Sequence, residues 1–411
     1  MDSRRAAAVQ RGMAFMFKHL QRDGHLYLLG AQCVGMFFDI YLSETDGGVC
    51  EAARQYCLVL LSQLEEHWLR HWQLPWTRDH LLEVLEVVRF ASVGFDLGNI
   101  LERADKAVAQ GSIDMRNLTL LDYGDYQSGI MTTEAWFGAM CVASAFEYAD
   151  TVFPARFGPA PRVGMREVLA GLRRHRFEAP RQVAPDSDFG WCHYLATHVG
   201  YWLTACSATL AIADAPWLAS FVRACLEFWL SQARLRERGE PGEAIDGLVY
   251  VDLDGLAECV DVLRGLQPGS AGEAEGAGPG SGSSKGDDAE EHRRFVAELA
   301  PLLEEASAWL LAQQRPDGSW PPLSYGHPRD PLDARLSQAK DDVADAAYRA
   351  IHPTWTATMA LCDRPAARPT SPRQRPCIAF HERCRALMRA AGFRQQQVPK
   401  QGGRRGRRKN A

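Results

Sequence analysis

Apolar residues recur at three- and four-residue intervals through most of this chain, and that period constrains the fold more than any single motif does. Ala53, Tyr56, Cys57, Leu60, Leu61, Leu64 and Trp68 form one such stripe; Val296, Leu299, Leu302, Leu303, Ala306, Trp309 and Leu310 form another. Residues so spaced share one face of an α-helix, whereas a half-buried strand would alternate. Leu195, Val199, Trp202, Leu203, Cys206 and Leu210 make a broader stripe, expected on a helix buried over most of its circumference. Strand signals are scarce, and the best of them, Gly247–Asp254, is short. The expected class is all-α, with roughly 10 to 13 helices of ordinary length.

Composition fits a folded chain. Of 411 residues 46% are hydrophobic and 24% charged, which excludes a mainly disordered polymer, a collagen and a disulfide-stapled miniprotein. The net charge of −5 argues against wholesale coating of nucleic acid. The 11 cysteines are odd in number and form no Cys-x-x-Cys pair. Most sit in apolar helical context, as small hydrophobes do, so a reducing intracellular compartment is expected: the cytoplasm first, the nucleus or mitochondrion as alternatives. The first twenty residues carry Asp2, Arg4, Arg5, Arg11 and Lys18 and have no clean apolar core, so no signal peptide is expected. The longest uncharged stretch, Val199–Ala213, is shorter than the roughly 20 residues a bilayer requires.

Three segments break the helical pattern. Residues 268–289 are a Gly/Ser-rich tract without large apolar residues, expected to be a flexible loop. Residues 364–376 are rich in Pro and Arg and are expected to be extended. The chain ends in Lys400–Ala411, a basic tail suited to a peripheral membrane or nucleic-acid contact. These marks divide the chain into one body, 1–363, interrupted at 268–289, and an extension, 364–411, holding a helix and a disordered tail.

One short pattern recurs. Met16–Tyr27 reads MFKHLQRDGHLY and Trp309–Trp320 reads WLLAQQRPDGSW; Phe228–Gln232 is a partial third copy. In the C-terminal copy a helix ending near Gln314 meets Pro316, which cannot continue it, and Asp317-Gly318 turns the chain. The Gln314 amide can then satisfy backbone groups of a neighbouring helix beneath Trp320, so Gln314, Gly318 and Trp320 read as a structural clamp.

The spacing Ala306-x-x-Trp309-Leu310-x-x-x-Gln314-x-x-x-Gly318-x-Trp320 resembles the QW repeat of squalene–hopene and oxidosqualene cyclases. His352-Pro353-Thr354-Trp355-Thr356-Ala357-Thr358-Met359-Ala360-Leu361 is similar to an inner helix of the same superfamily, which includes class II diterpene cyclases and protein prenyltransferase β-subunits. The match covers about 55 residues, Ala306–Leu361. It implies an (α/α)6 toroid, with two concentric rings of helices around a cavity for an isoprenoid or other hydrophobic small molecule. A non-catalytic scaffold for a ligand or protein and a carbohydrate-active toroid are the alternatives.

The superfamily's chemical motifs are not intact. Cyclases of class II use Asp-x-Asp-Asp as proton donor; Asp252-Leu253-Asp254-Gly255 and Asp186-Ser187-Asp188-Phe189 both lack the last Asp and read as turns or helix caps. Protein prenyltransferases hold zinc with Asp-x-Cys and a distant His. His352 stands where that His would be, expected at a helix start before Pro353, but the Asp-x-Cys spacing is absent. Asp341-Asp342-x-x-Asp345 has the form of a magnesium–diphosphate motif that belongs to a different fold, and reads here as a solvated helix start. His67 and His71, four apart, read as packing beside Trp68 and Trp72. No metal or cofactor is therefore expected, with Mg²⁺ or Zn²⁺ as alternatives. Acids, histidines and aromatics gather in 122–136 and 191–202. Asp122, Asp254 and His352 are the candidate catalytic residues, and Trp136, His193, His198, Tyr201, Trp202 and Trp355 the candidate substrate-binding ones.

Overall fold

A computed structural model describes residues 3–22, 24–91, 94–119, 123–129, 131–175, 177, 188–204, 210–211, 215–239, 244–245, 248–249, 251–267, 285–321, 343–362 and 375–393. The fold is all-helical, with fifteen α-helices among these residues: α1 Ser3–Leu20, α2 His25–Leu29, α3 Gln32–Ser43, α4 Gly47–His71, α5 Arg78–Ala91, α6 Gly98–Ala109, α7 Tyr123–Ser128, α8 Thr133–Val152, α9 Met165–Leu172, α10 Asp188–Thr204, α11 Pro216–Glu237, α12 Leu253–Gly265, α13 Lys285–Gln313, α14 Val343–Leu361 and α15 Arg375–Ala390. The number exceeds the expected 10 to 13 because α2, α7 and α9 are too short to show an apolar period. The segment 247–254, read as the best strand, contributes only the two residues Leu248–Val249, paired with Ala244–Ile245; a second two-residue pair joins Leu210–Ala211 to Leu266–Gln267.

Local chemistry starts the helices. Asp46 accepts from Gly48 N and Val49 N, both at 2.9 Å, and Thr132 Oγ1 accepts from Ala135 N at 3.1 Å, so α4 and α8 have capped N-termini. Pro216 opens α11, where its missing N–H leaves no gap in the ladder. Lys285 already lies in α13 and Arg375 in α15, so 285–289 and 375–376 are helical rather than loop or extended; the rest of 268–289 and 364–376, the basic tail, Asp122, Asp186, Ser187, Asp341 and Asp342 fall outside the described residues. Among the described residues no helix is long and apolar enough to cross a membrane.

Packing follows a regular order. α3 packs on α5, α5 on α8, α8 on α10, α10 on α12, α12 on α14, and α14 again on α3. Other helices cover these from one side each: α4 lies on α3, α6 on α5, α9 on α8, α11 on α10 and α12, α13 on α12 and α14, and α1 on α14. α12 is buried at every position but Arg264, as the central member of such a layer requires.

The C-terminal Gln…Gly-x-Trp element joins helices distant in sequence. Gln314 Nε2 donates to Ala8 O at 2.9 Å and to Gly318 O at 3.1 Å, while Arg11 donates to Gln314 Oε1 at 2.5 Å. Trp320 donates through its indole to Leu310 O at 2.7 Å and through its backbone to Thr354 Oγ1 at 3.0 Å. One short segment thus ties α13 to α1 and α14. Gln314 reaches a carbonyl within α1 rather than a helix terminus. In the N-terminal copy Gln21 and Gln63 exchange amide hydrogen bonds at 2.8 and 3.2 Å, linking α1 to α4.

A candidate acid–histidine centre in a central cavity

A cavity of about 390 Å³ opens among α3, α5, α8, α10, α12 and α14. Each contributes wall residues because each presents a second, mixed face opposite the covered one. Aromatic rings come from Phe137 and Tyr148 of α8, Tyr201 and Trp202 of α10, and Tyr348 and Trp355 of α14. Asp39, Glu86, Arg89, Glu258, Asp261, His198 and His352 bring charge and proton-exchanging groups to the same cavity.

The densest group lies where α10, α12 and α14 meet. Asp254 and Glu258 are four residues apart on α12 and therefore share one face, which α14 covers with His352. A carboxylate oxygen of each acid and a ring nitrogen of His352 all lie within 4.8 Å of one another. His352 Nδ1 is 3.0 Å from Asp254 Oδ1, yet neither atom has a hydrogen bond of acceptable geometry. Asp254 is 1% exposed, so its oxygen has no water to turn to.

Neighbours orient this group. The Tyr194 hydroxyl faces two carboxylates, 2.9 Å from Asp252 Oδ2 and 3.2 Å from Asp254 Oδ2. Thr197 Oγ1 donates to Glu258 Oε2 at 2.5 Å, and Asp252 Oδ1 accepts from Gly255 N at 3.0 Å, the helix-cap role read from its sequence. Burial and the adjacent Asp254 charge raise Asp252 to about 7. Burial opposes ionisation of Asp254 too, but the adjacent His352 ring and the nearby Thr356 and Tyr194 hydroxyls outweigh it and hold Asp254 below the usual carboxylate range. Burial, then the Asp254 charge, push Glu258 well above that range. On one face, one helical turn apart, Asp254 is thus the easier and Glu258 the harder of the two acids to ionise.

His198 completes the wall. Its Nδ1 lies 2.9 Å from Tyr194 O and must carry the proton to bond a carbonyl, leaving Nε2 with the lone pair. Burial lowers it to about 4, so the ring is neutral near pH 7. Phe137 packs edge-on against it with centroids 4.6 Å apart.

The structure brings together Asp254, His352, His198, Tyr201, Trp202 and Trp355 in or beside one cavity. It places two other expected residues elsewhere. His193 is fully buried, its Nε2 3.2 Å from Cys259 Sγ, and Trp136 packs over Gly171, where a Cβ would collide with the indole. His193 is turned toward Cys259 of α12 and Trp229 of α11, and Trp136 toward α9, so neither lines the cavity. His352 lies within α14 rather than at its start, with Pro353 also inside the helix. Sequence reasoning placed Tyr194 in the 191–202 cluster without assigning it a role, and passed over Glu258 and Asp261. Their signal was present: Asp254, Glu258 and Asp261 recur at 4 and 3 residues along an otherwise apolar helix, the pattern of a polar stripe facing inward.

Whether these residues suit a metal follows from their chemistry. Asp-x-Cys coordination does not fit, since Cys259 faces His193 in the core. The set of one imidazole and two carboxylates does fit. Ligand atoms about 2.0–2.2 Å from a common ion lie roughly 3–4 Å apart, and three protein ligands leave an open position. The unpartnered Asp254 Oδ1 and His352 Nδ1 are the atoms such an ion would satisfy, and Tyr194 and Thr197 are the second-layer donors that fix the carboxylates. No family model, no curated protein and no solved structure matches the chain.

Proposed function

We propose that this chain is a six-hairpin α/α toroid resembling terpenoid cyclases and protein prenyltransferases, that its central cavity binds an isoprenoid or other hydrophobic small molecule, and that Asp254, Glu258 and His352 hold a zinc-class divalent ion at the wall. The toroid is supported by the six helix pairings that return to their starting helix, by the second set of helices covering them, and by the Gln314–Trp320 element joining α1 to α13 and α14. The observation that carries the functional reading is a cavity walled by aromatic rings with a buried acid–histidine pair beside it, in contact without a hydrogen bond.

Each part has a chemical role. Rings of Phe137, Trp202 and Trp355 remove apolar surface from water and offer π-faces to developing positive charge. A bound divalent ion would supply Lewis acidity at this wall. Tyr194 and Thr197 keep the carboxylates in place, and neutral His198 accepts a hydrogen bond from a ligand hydroxyl or thiol through Nε2. The Asp-x-Asp-Asp proton donor of class II cyclases is incomplete here, so no protonation step is assigned to Asp254.

A second reading has one observation behind it. Asp39 and Glu86 from α3 and α5 share the cavity with Glu258 and Asp261 from α12, and several carboxyls in one aromatic-lined cavity also suit a carbohydrate. Titration with farnesol and with an oligosaccharide, followed by intrinsic tryptophan fluorescence, separates the two. Saturable quenching by farnesol alone is expected, and narrowing the cavity with Ala145→Trp should abolish it. Quenching by the oligosaccharide alone would favour the second reading, and an Ala145→Trp variant that binds as before would refute a cavity site. Zinc binding is checked on the same protein by calorimetry, with His352→Ala and Asp254→Ala expected to lose it.

A further inference from the structure

One wall residue of the cavity comes from none of the six helices that surround it. Phe380 belongs to α15, in the C-terminal extension, and α15 packs on α8, α9 and α10. The Phe380 ring is 2% exposed and rests against Tyr148 with centroids 4.8 Å apart. Arg383, about one turn further on, pairs with Glu147 and, at 2.8 Å, with Asp150, so α8 holds α15 on both sides of this contact. Cys384 and Met388 continue the buried face.

The position of that contact along the cavity follows from α8. Phe137 packs edge-on against His198, whose Nδ1 is 3.9 Å from Glu258 Oε2, so Phe137 marks the acid–histidine end. Tyr148 is three turns later on the same helix, about 16 Å along its axis at 1.5 Å per residue. Phe380 and Tyr148 therefore stand at the opposite end from Asp254, Glu258 and His352.

We infer that Phe380 is the end wall of the cavity and the residue that sets how long an apolar ligand can be. This rests on the cavity-binding reading given above. A ligand whose polar end meets the acid–histidine group extends along α8 until it reaches the Phe380 ring, and a longer chain is excluded by that ring rather than by the six-helix body. The C-terminal extension is on this view part of the binding site.

The test titrates the full-length protein with geraniol, farnesol and geranylgeraniol, read by tryptophan fluorescence. Phe380→Ala should improve binding of the longest alcohol relative to the shortest by about tenfold or more, the scale on which apolar pockets discriminate by size. Phe380→Leu, which keeps most of the buried contact, should shift the same ratio less and serves if the alanine variant does not fold. Arg383→Ala removes the ion pairs without altering the wall and should leave the ratio unchanged. An unchanged ratio in both Phe380 variants overturns the end wall while leaving the cavity reading intact. An equal shift in Arg383→Ala overturns it in favour of simple displacement of α15. Failure of the unaltered protein to bind any of the three overturns the cavity reading and the end wall together.

Discussion

His352 Nδ1 and Asp254 Oδ1 lie 3.0 Å apart without forming a hydrogen bond, on two helices, α14 and α12, that are ninety-eight residues apart in the chain. Two buried polar atoms in contact without a well-directed hydrogen bond keep only their charge attraction, and the missing bond costs the fold on the order of 1–3 kcal/mol. A shared cation removes that penalty. Replacing Tyr194 with Phe takes away the hydroxyl that faces both Asp252 and Asp254 while leaving all three proposed ligands. Zinc affinity by calorimetry should fall about 10- to 100-fold, the usual effect of a second-layer partner. Equal affinity would show that Tyr194 does not orient the site.

Glu83 gives a pH dependence away from this centre. Its carboxylate accepts from Ala31 N at 2.6 Å at the start of α3, and burial raises it from 4.5 to about 7 despite that bond. The native state therefore binds more protons than the unfolded state between these values, and stability falls as pH rises through them. The upper bound for this one group is about 3 kcal/mol, at 1.36 kcal/mol per unit. Glu83→Gln keeps an acceptor for Ala31 N and removes the titration. Urea unfolding should show the variant gaining on the wild type from pH 4 to pH 8; parallel profiles would contradict the assignment.

Gly318 has φ +94, and a Cβ there would stand 2.5 Å from Arg11 O. Both the dihedral and the space require glycine. Gly318→Ala should cost about 1–3 kcal/mol or more of stability, because it strains the turn and pushes α1 off the Gln314 contact. Gln314→Ala should cost about as much, through loss of the tie from α13 to the Ala8 carbonyl of α1 and of the Arg11 partner. Thermal unfolding of both variants and the double mutant should be clearly sub-additive, since the two changes break one contact.

Trp136 provides a negative control for the cavity. It fills the space over Gly171, and no alanine Cβ fits there without moving the indole. Gly171→Ala should destabilise the fold by about 1–3 kcal/mol, as overpacking does. Trp136→Phe should leave farnesol binding unchanged within error, whereas Trp202→Ala and Trp355→Ala should weaken it. Loss of binding in Trp136→Phe would place that side chain in the site after all.

The helical class was legible because burying one face of a helix leaves a period in the sequence, and α4, α10 and α13 carry it openly. The site was legible in part. His352 and Asp254 stood out as isolated polar residues near a recognisable pattern, and Trp202, Tyr201, His198 and Trp355 as polar-aromatic residues on apolar helices. Glu258 and Asp261 did not stand out, since acids at helical spacing are ordinary on an exposed face and only burial of α12 makes them unusual. His193 and Trp136 look the same in sequence as His198 and Trp202. They differ only in which side of the helix meets a covering helix and which meets the cavity.

Sequence alone determined the all-helical class, the turn at Asp317-Gly318 and the Gln314 element, because each depends on residues within a few positions of one another. Tertiary structure alone decided that α12 and α14 pack together beside a cavity and that Asp254, Glu258 and His352 converge. It also carried Phe380, from a segment read as an appendage, into the wall. Side chains 94 and 98 residues apart share a few ångströms of space only after every intervening helix has packed, and no local period records that distance.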